Sequence, residues 1–300
     1  GFAILLLIAL MMGANHVAAR LAFNHGVDVV TAVGFRSGIT ALVVLFILWR
    51  QQVSWRLSAR HKRFLPLIGA LIAVQSVCLY SSVARLPVAL ALLVFNTYPI
   101  TTALWARVLY GHRPERVVVM AMPVMLLGLA LALDVLGAAS GLGAAAQWAQ
   151  IGLGVAFAFG ASTTFGLAMV LTQYEAGELD GRLRTFTTMG QVALWASLAA
   201  AFTGGWQLPI DGPGWLGLSL LTFLYGTAFT IMFTVLPKLG VVGSSPIMNV
   251  EPVFALVLAL VFLGQAIAPL QLVGAGIVVA TVMALGLRKR LRTHLASNSS

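Results

Sequence analysis

Apolar runs long enough to cross a lipid bilayer follow one another along almost the whole chain. About 20 residues of α-helix, rising 1.5 Å each, cross a hydrocarbon layer about 30 Å thick. The sequence supplies that length repeatedly, at residues 2–22, 30–49, 65–84, 88–109, 117–136, 149–172, 184–202, 214–236, 242–262 and 268–287. These runs predict an all-α membrane protein with ten transmembrane helices.

The composition excludes a water-soluble fold. Apolar residues make up 60% of the 300 residues and charged residues 9%, against about 45–50% and 25% in soluble domains. Runs such as 86–109 and 250–263 offer almost no polar side chains for a water-facing surface. The predicted surroundings are therefore lipid. The net charge of +10 does not indicate nucleic-acid binding, because the arginines lie in short gaps between apolar runs.

The basic loops predict the orientation of the chain in the membrane. Lys and Arg cluster between spans 2 and 3, 4 and 5, 6 and 7, and 8 and 9, and after span 10, whereas Arg85 is the loop cation of the alternate connections. Positively charged loops stay on the cytoplasmic side. The pattern predicts a multi-pass protein of the cell (inner) membrane with cytoplasmic N- and C-termini.

A common offset of 153 residues relates two segments of the chain. It matches Asn96 with Asn249, Pro99 with Pro252, and Gly111 with Gly264. Five helices separate the matched positions, so the second copy enters the membrane from the opposite side. We therefore predict two inverted five-helix repeats around a central cavity, residues 1–138 and residues 139–300 with a basic tail. Inverted repeats are typical of secondary transporters, which open a midplane site alternately to each side.

Short motifs in both segments carry a family resemblance. They are Gly13-Ala-Asn15-His16, Phe35-Arg36, Asn96-Thr-Tyr-Pro99, Leu109-Tyr-Gly111, Glu251-Pro-Val-Phe-Ala255 and Phe262-Leu-Gly264. Over residues 2–287 the chain resembles the drug/metabolite transporter superfamily in its ten-helix form of two EamA-type halves. The resemblance implies export of amino acids or similar metabolites, or efflux of drugs. This family usually has Glu after the last Gly of each half, where this chain has His112 and Gln265.

Glu251 is the clearest ionisable candidate inside a span. A charged side chain at the centre of a bilayer costs roughly 2.5–3.5 kcal/mol on insertion scales, so it needs a reason. Glu251 either couples protonation to helix movement or faces a substrate ammonium, or it is a permanently protonated residue that ties two helices together. Pro99 and Pro252 are predicted to kink their helices and to shape or gate the central space.

Other polar residues within the spans are candidates for the same cavity. Arg36 either attracts a substrate carboxylate or extends along its helix to the water interface. His16, with Asn15 beside it, has either a pore role or a structural hydrogen bond. Asn96 and Asn249 either line the cavity or cross-link helices. The remaining candidates, each of which would also suit ordinary helix packing, are Tyr80, Tyr98, Tyr225, Ser162, Thr163, Gln191 and Ser244.

These observations favour a secondary transporter that exports small metabolites, most of all amino acids, by alternating access. The alternative is a multidrug efflux pump for cationic or amphipathic compounds. An intramembrane enzyme ranks lower, because the chain has no His-Glu-x-x-His motif and only His16 lies well inside a span. We therefore predict no catalytic residue, metal or cofactor. The predicted partner is a small-molecule substrate, and a monomer is expected.

Overall fold

The computed structural model of the protein describes residues 2–113, 116–234 and 250–297, and these ranges contain helices and connecting loops without β-strands. The helices are α1 (Phe2–Asn24), α2 (Val29–Arg50), α3 (Ala59–Val83), α4 (Val88–Phe95), α5 (Tyr98–Tyr110), α6 (Arg116–Ala132), α7 (Ala144–Glu175), α8 (Gly181–Phe202), α9 (Gly212–Thr234), α10 (Glu251–Leu263) and α11 (Pro269–Ser297). Each predicted span overlaps a helix or, for 88–109, a pair of helices. Residues 242–249 of the ninth span lie outside the described residues.

Length and composition suit these helices to lipid. Within the described residues, six segments are long and apolar enough to cross a membrane: Ala3–Asn24, Val29–Arg50, Ala59–Val83, Val88–Tyr110, Ala144–Glu175 and Gly212–Ile231. Large apolar side chains also cover the outside of the bundle, such as Met120 and Phe262, which are 73% and 72% exposed. Because helices satisfy their own backbone hydrogen bonds, they can present such faces to lipid. The prediction of an all-α membrane protein is confirmed.

Local sequence signals set the ends of several helices. The Asp28 side chain accepts a hydrogen bond from the Thr31 backbone N–H at 2.9 Å and so begins α2. Ser58 begins α3 in the same way, with a capping box. Gly111 and Gly264 follow α5 and α10 with φ angles of 68° and 63°. Left-handed backbone of this kind favours glycine, so these two residues, which lie 153 positions apart, end their helices alike.

The fourth span is broken rather than bent. The chain leaves helical geometry at Asn96 and Thr97, and Pro99 is the second residue of the new helix α5. The Asn96 side-chain amide donates to the Leu92 carbonyl at 2.8 Å, and the Thr97 hydroxyl donates to the Val94 carbonyl at 2.8 Å. The same two carbonyls also accept the Asn96 and Thr97 backbone N–H groups. At the predicted kink near Pro99 the span is therefore broken into two helices, and side chains of the break bond back to α4.

The helices pack around α4. Residues 88–94 of α4 are all buried, and apolar side chains of α3, α6, α7, α10 and α11 surround them. Around this core, α1 packs on α9 and α10, α3 packs on α7 and α8, and α2 packs on α8 and α9. Likewise α7 packs on α4 and α5, α6 packs on α11, and α4 packs on α10. The start of α10 is thereby held against α1.

Two glycines allow especially close helix contacts. A Cβ at Gly13 in α1 would lie 3.0 Å from the Glu251 carbonyl oxygen and 3.1 Å from the Ala255 nitrogen of α10. A Cβ at Gly166 in α7 would lie 2.8 Å from the Thr102 nitrogen of α5. Small residues at such crossings let helix backbones touch. The Gly13 crossing brings the first turn of α10 directly onto α1.

Candidate functional site

Tyr80 lies at the centre of a polar cluster inside the apolar bundle. Its side chain is fully buried. The Tyr80 hydroxyl donates to the Asn15 side-chain oxygen at 3.0 Å, and the Tyr80 ring meets the His16 ring edge to face, with centroids 5.6 Å apart. Asn15 and His16 are adjacent on α1, whereas Tyr80 is near the end of α3. The structure thus brings three of the predicted site residues together.

The His16 and Glu251 side chains meet where α1 packs on α10. The His16 Nε2 atom lies 3.2 Å from the Glu251 Oε1 atom, and the two side chains are 3% and 17% exposed. Glu251 is the first residue of α10 and Pro252 the second. The His16 Nδ1 atom is buried without a hydrogen-bond partner in the described part of the chain. This contact lies next to the point where α10 begins.

Arg36 is buried in the same region, against two aromatic rings. Its side chain is 3% exposed. The guanidinium carbon lies 3.8 Å from the Tyr225 ring centroid and 4.7 Å from the Tyr80 ring centroid, and an Arg36 N–H donates to the Ser76 hydroxyl at 2.9 Å. No ion pair among the described residues includes Arg36. Aromatic faces attract a cation but do not neutralise it, so the charge of Arg36 has no carboxylate at ion-pair distance in the described part of the chain.

Ser76 belongs to this site although the sequence did not single it out. It lies four residues before Tyr80 on α3, so both side chains are on one helical face. That spacing was the available signal. Gln191, by contrast, donates to the Leu65 carbonyl on α3 at 3.2 Å and so joins α8 to α3 away from the cluster.

A second polar group joins α5 to α7. The Thr97 and Ser162 hydroxyls lie 2.9 Å apart, and the Thr101 hydroxyl donates to the Ser162 carbonyl at 2.9 Å. The Trp105 indole donates to the Thr163 carbonyl at 3.1 Å. Ser162 and Thr163 therefore take part in helix packing here, and Thr163 does so through its backbone.

Tyr98 packs against α7. Its ring meets the Phe165 ring edge to face, with centroids 5.1 Å apart. The Asn96 amide is engaged within its own segment, as described above. Asn249 and Ser244 lie outside the described residues, so the structure places neither with the cluster.

Ion pairs join helices at both ends of the bundle. At the end where α3 begins, the Arg60 Nε atom donates to a Glu175 oxygen at 2.5 Å, and the Tyr110 hydroxyl donates to the other Glu175 oxygen. At the end where α1 stops, the His25 Nδ1 atom lies 2.6 Å from an Asp211 oxygen. The hydrogen bond from the Gly214 backbone N–H holds the pKa of Asp211 below its ordinary 3.8, and the hydrogen bond with His25 lowers this pKa further.

Comparison with known protein families assigns this helix bundle. The model of the EamA-like transporter family matches residues 1–133 and 152–287. The chain belongs to the EamA-like transporter family. The resemblance predicted from the short motifs is thereby confirmed, and this EamA-like protein is a multi-pass membrane transporter of small molecules.

Named relatives and a solved structure are also similar to the chain. The threonine/homoserine exporters RhtA of Escherichia coli strains K12, O6:H1 and O157:H7 are each 26% identical to the chain over 307 aligned residues, which cover 97% of the chain and 93% of each relative. A protein crystal structure that is 18% identical in sequence aligns with a TM-score of 0.58 over 93% of this chain and 96% of its own. That structural likeness shows a shared fold.

Proposed function

We propose that this EamA-like protein exports amino acids by alternating access, with its substrate site at the cluster of Arg36, His16 and Glu251. The observation that carries the proposal is a set of ionisable side chains buried within an otherwise apolar bundle, where each charge costs several kcal/mol to maintain. Buried ionisable groups in membrane proteins mark substrate and proton pathways. The similar E. coli exporters are named for amino acids, which supports this substrate class.

The predicted pair of inverted repeats, residues 1–138 and 139–300, is part of the proposal, and the helix packing supports it. The offset of 153 residues matches α1, α2, α3 and α5 with α7, α8, α9 and α10, respectively. When each helix is replaced by its match, in either direction, the contact of α1 with α9 becomes the contact of α7 with α3. The contacts of α1 with α10 and of α2 with α9 become those of α7 with α5 and of α8 with α3, and both occur. Gly166 lies 153 residues after Gly13 and makes the equivalent close contact.

We place the moving part at the start of α10. Pro252 cannot continue a helical hydrogen-bond pattern toward preceding residues, and Glu251 contacts α1 through both its side chain and its carbonyl. Protonation of Glu251 weakens its attraction to His16, while an incoming ammonium group competes for the same carboxylate. Proton or substrate binding would then alter the contact of α1 with α10. We place the chain in the inner membrane with its basic loops in the cytoplasm. This movement would then open the site alternately to the cytoplasm and to the outside.

The main alternative is efflux of cationic drugs. A lipophilic cation would suit Glu251, but it would have to enter beside Arg36, whose charge has no ion-pair partner in the described residues. A zwitterion offers one group of each sign to these two side chains. The charge pattern therefore favours amino acids over cationic drugs.

Counterflow in proteoliposomes tests the proposal. Vesicles loaded with unlabelled L-threonine or another neutral amino acid should accumulate the labelled compound, and ethidium should neither exchange nor compete. Exchange of ethidium with no exchange of any neutral amino acid would refute amino-acid export.

The role of Glu251 is tested in the same vesicles. Glu251→Gln should flatten the pH dependence of amino-acid flux, whereas Glu251→Asp, which keeps a titrating carboxyl, should retain it. An unaltered pH profile in Glu251→Gln would remove Glu251 from coupling.

A further inference from the structure

Two hydrogen-bond donors beside Tyr80 are buried without partners. These are the Arg36 Nε atom and the Asn15 Nδ2 atom, and neither has a hydrogen-bond acceptor within the described ranges 2–113, 116–234 and 250–297. Their side chains are 3% and 0% exposed. Buried donors in folded proteins are almost always paired. Both residues also contact Tyr80, Asn15 through its hydroxyl and Arg36 through its ring. The two donors therefore call for an acceptor other than the described residues, and a bound molecule can supply one.

The charge at this place specifies what kind of acceptor. A guanidinium offers five N–H donors, and Ser76 is its hydrogen-bonded side-chain acceptor at 2.9 Å. Glu251, the carboxylate of the cluster, is paired with His16 instead. A negatively charged acceptor would satisfy both the free donor and the charge of Arg36. Carboxylates fit best, because they accept two parallel hydrogen bonds from one guanidinium.

Arg20 is a second arginine of this bundle whose Nε atom has no hydrogen-bond partner among the described residues, but its terminal nitrogen is bonded differently from that of Arg36. One of its terminal nitrogens donates to the Val83 carbonyl at 2.6 Å and to the Leu86 carbonyl at 3.1 Å, at the end of α3. Helix C-termini present carbonyls without intrahelical partners, which suit a cation. Arg36 lies inside α2, and its hydrogen bond in the described residues is to the Ser76 hydroxyl rather than to a carbonyl at a helix end. Arg36 is therefore not explained by helix capping.

The fold itself does not require these polar side chains. The position 153 residues after Arg36 is Met189, the position after Ser76 by the same offset is Phe229, and Asn15 corresponds to Ala168. Met189 is buried and apolar. A second copy of the same helix arrangement thus fills the matching place without charge. The Arg36 cluster is a special feature of the first half.

We infer that Arg36, assisted by Asn15, binds the carboxylate of the transported molecule, and that compounds without a free carboxylate are not exported. This inference rests on the proposed function and deepens it, because it names the group by which the site recognises an amino acid. The rings of Tyr80 and Tyr225 hold the guanidinium on α2 between α3 and α9. A bound carboxylate would therefore link α1 and α2 directly. It would also be coupled to α3 and α9, because the Tyr80 and Tyr225 rings contact the Arg36 guanidinium.

A comparison of acid and amide tests the inference on the full-length protein. The neutral amino acid with the strongest counterflow is offered as itself and as its carboxamide, which keeps the amine and side chain but has no carboxylate. We expect the amide to compete at least about tenfold more weakly, which is the effect of losing a charge-assisted hydrogen bond. In Arg36→Met, which installs the residue type found at position 189, amino-acid affinity should fall by a similar factor and the preference for the acid should disappear.

Further variants separate recognition from folding. Arg36→Lys keeps the charge but not the paired donors, so it should retain part of the preference for the acid. It serves as the test if Arg36→Met does not fold. Ser37→Ala removes a neighbouring buried hydroxyl and should leave the preference unchanged. Equal competition by acid and amide in the wild type, with amino-acid counterflow intact, would overturn the carboxylate site and leave the proposed function standing. Absence of any amino-acid counterflow would overturn both.

Discussion

The crossing of α1 and α10 at Gly13 permits a quantitative test of the helix contact beside Glu251. In Gly13→Ala, the new methyl group would lie 3.0 Å and 3.1 Å from two backbone atoms of α10, and 3.3 Å from the Phe254 Cβ atom. Backbone atoms cannot rotate away, so α10 has to shift by a few tenths of an ångström. Overpacking of this kind costs about 1–3 kcal/mol, while alanine gains about 0.5–1 kcal/mol over glycine in a helix. The two ranges subtract to a loss of about 0–2.5 kcal/mol, with a central value of about 1 kcal/mol.

Melting of the purified protein in detergent measures this loss. Gly190 provides the matched control, because a Cβ there would meet nothing within 4 Å, and Gly190→Ala should leave the melting temperature unchanged or raise it. Gly166→Ala should cost more than Gly13→Ala, since its methyl would clash with the Thr101 side chain and lie 2.8 Å from the Thr102 nitrogen. The order from most to least stable is therefore Gly190→Ala, wild type, Gly13→Ala, Gly166→Ala. A Gly13→Ala protein that melts with or above the wild type would refute the close contact.

Three further predictions concern the polar contacts. Tyr80→Phe should lower the free energy of unfolding by about 1–3 kcal/mol, since it leaves the buried Asn15 oxygen without its donor; an unchanged denaturation midpoint would contradict that hydrogen bond. Arg60→Gln should lower the melting temperature, because Glu175 is only 8% exposed and loses its cation, and adding Glu175→Gln should then cost little more. Asp211→Asn should destabilise the protein at neutral pH, and the difference should shrink as the pH falls below 3.8, because a depressed pKa adds stability only while the carboxyl is ionised.

The membrane architecture was predictable because lipid imposes one simple rule. A helix must run apolar for about 20 residues to cross, and that length is visible in the sequence without knowledge of packing. The motif around Asn15 and His16 likewise indicates the family through residue types and spacing alone. The break in the fourth span was harder, since Pro99 marked the region while Asn96 and Thr97 decide where the helix ends.

Side-chain partners across the bundle were not predictable. His16 and Glu251 are 235 residues apart, and only the packing of α1 on α10 brings them to 3.2 Å. Arg60 counted in the sequence only as one of several basic loop residues, yet it bonds Glu175 at the far end of α7. Such pairs depend on which helices are neighbours and on their rotation. Apolar side chains lie on nearly all faces of a helix in lipid, so the sequence indicates neither which helices are neighbours nor how each helix is rotated.

The break between α4 and α5 gives the two parts of one span different surroundings. All of α4 from 88 to 94 is buried in the core, whereas α5 has no buried residue in its length and is attached by hydrogen bonds to α7. We expect a joint at Asn96 and Thr97, where α5 can change its angle to α4 while α4 stays in the core of the bundle.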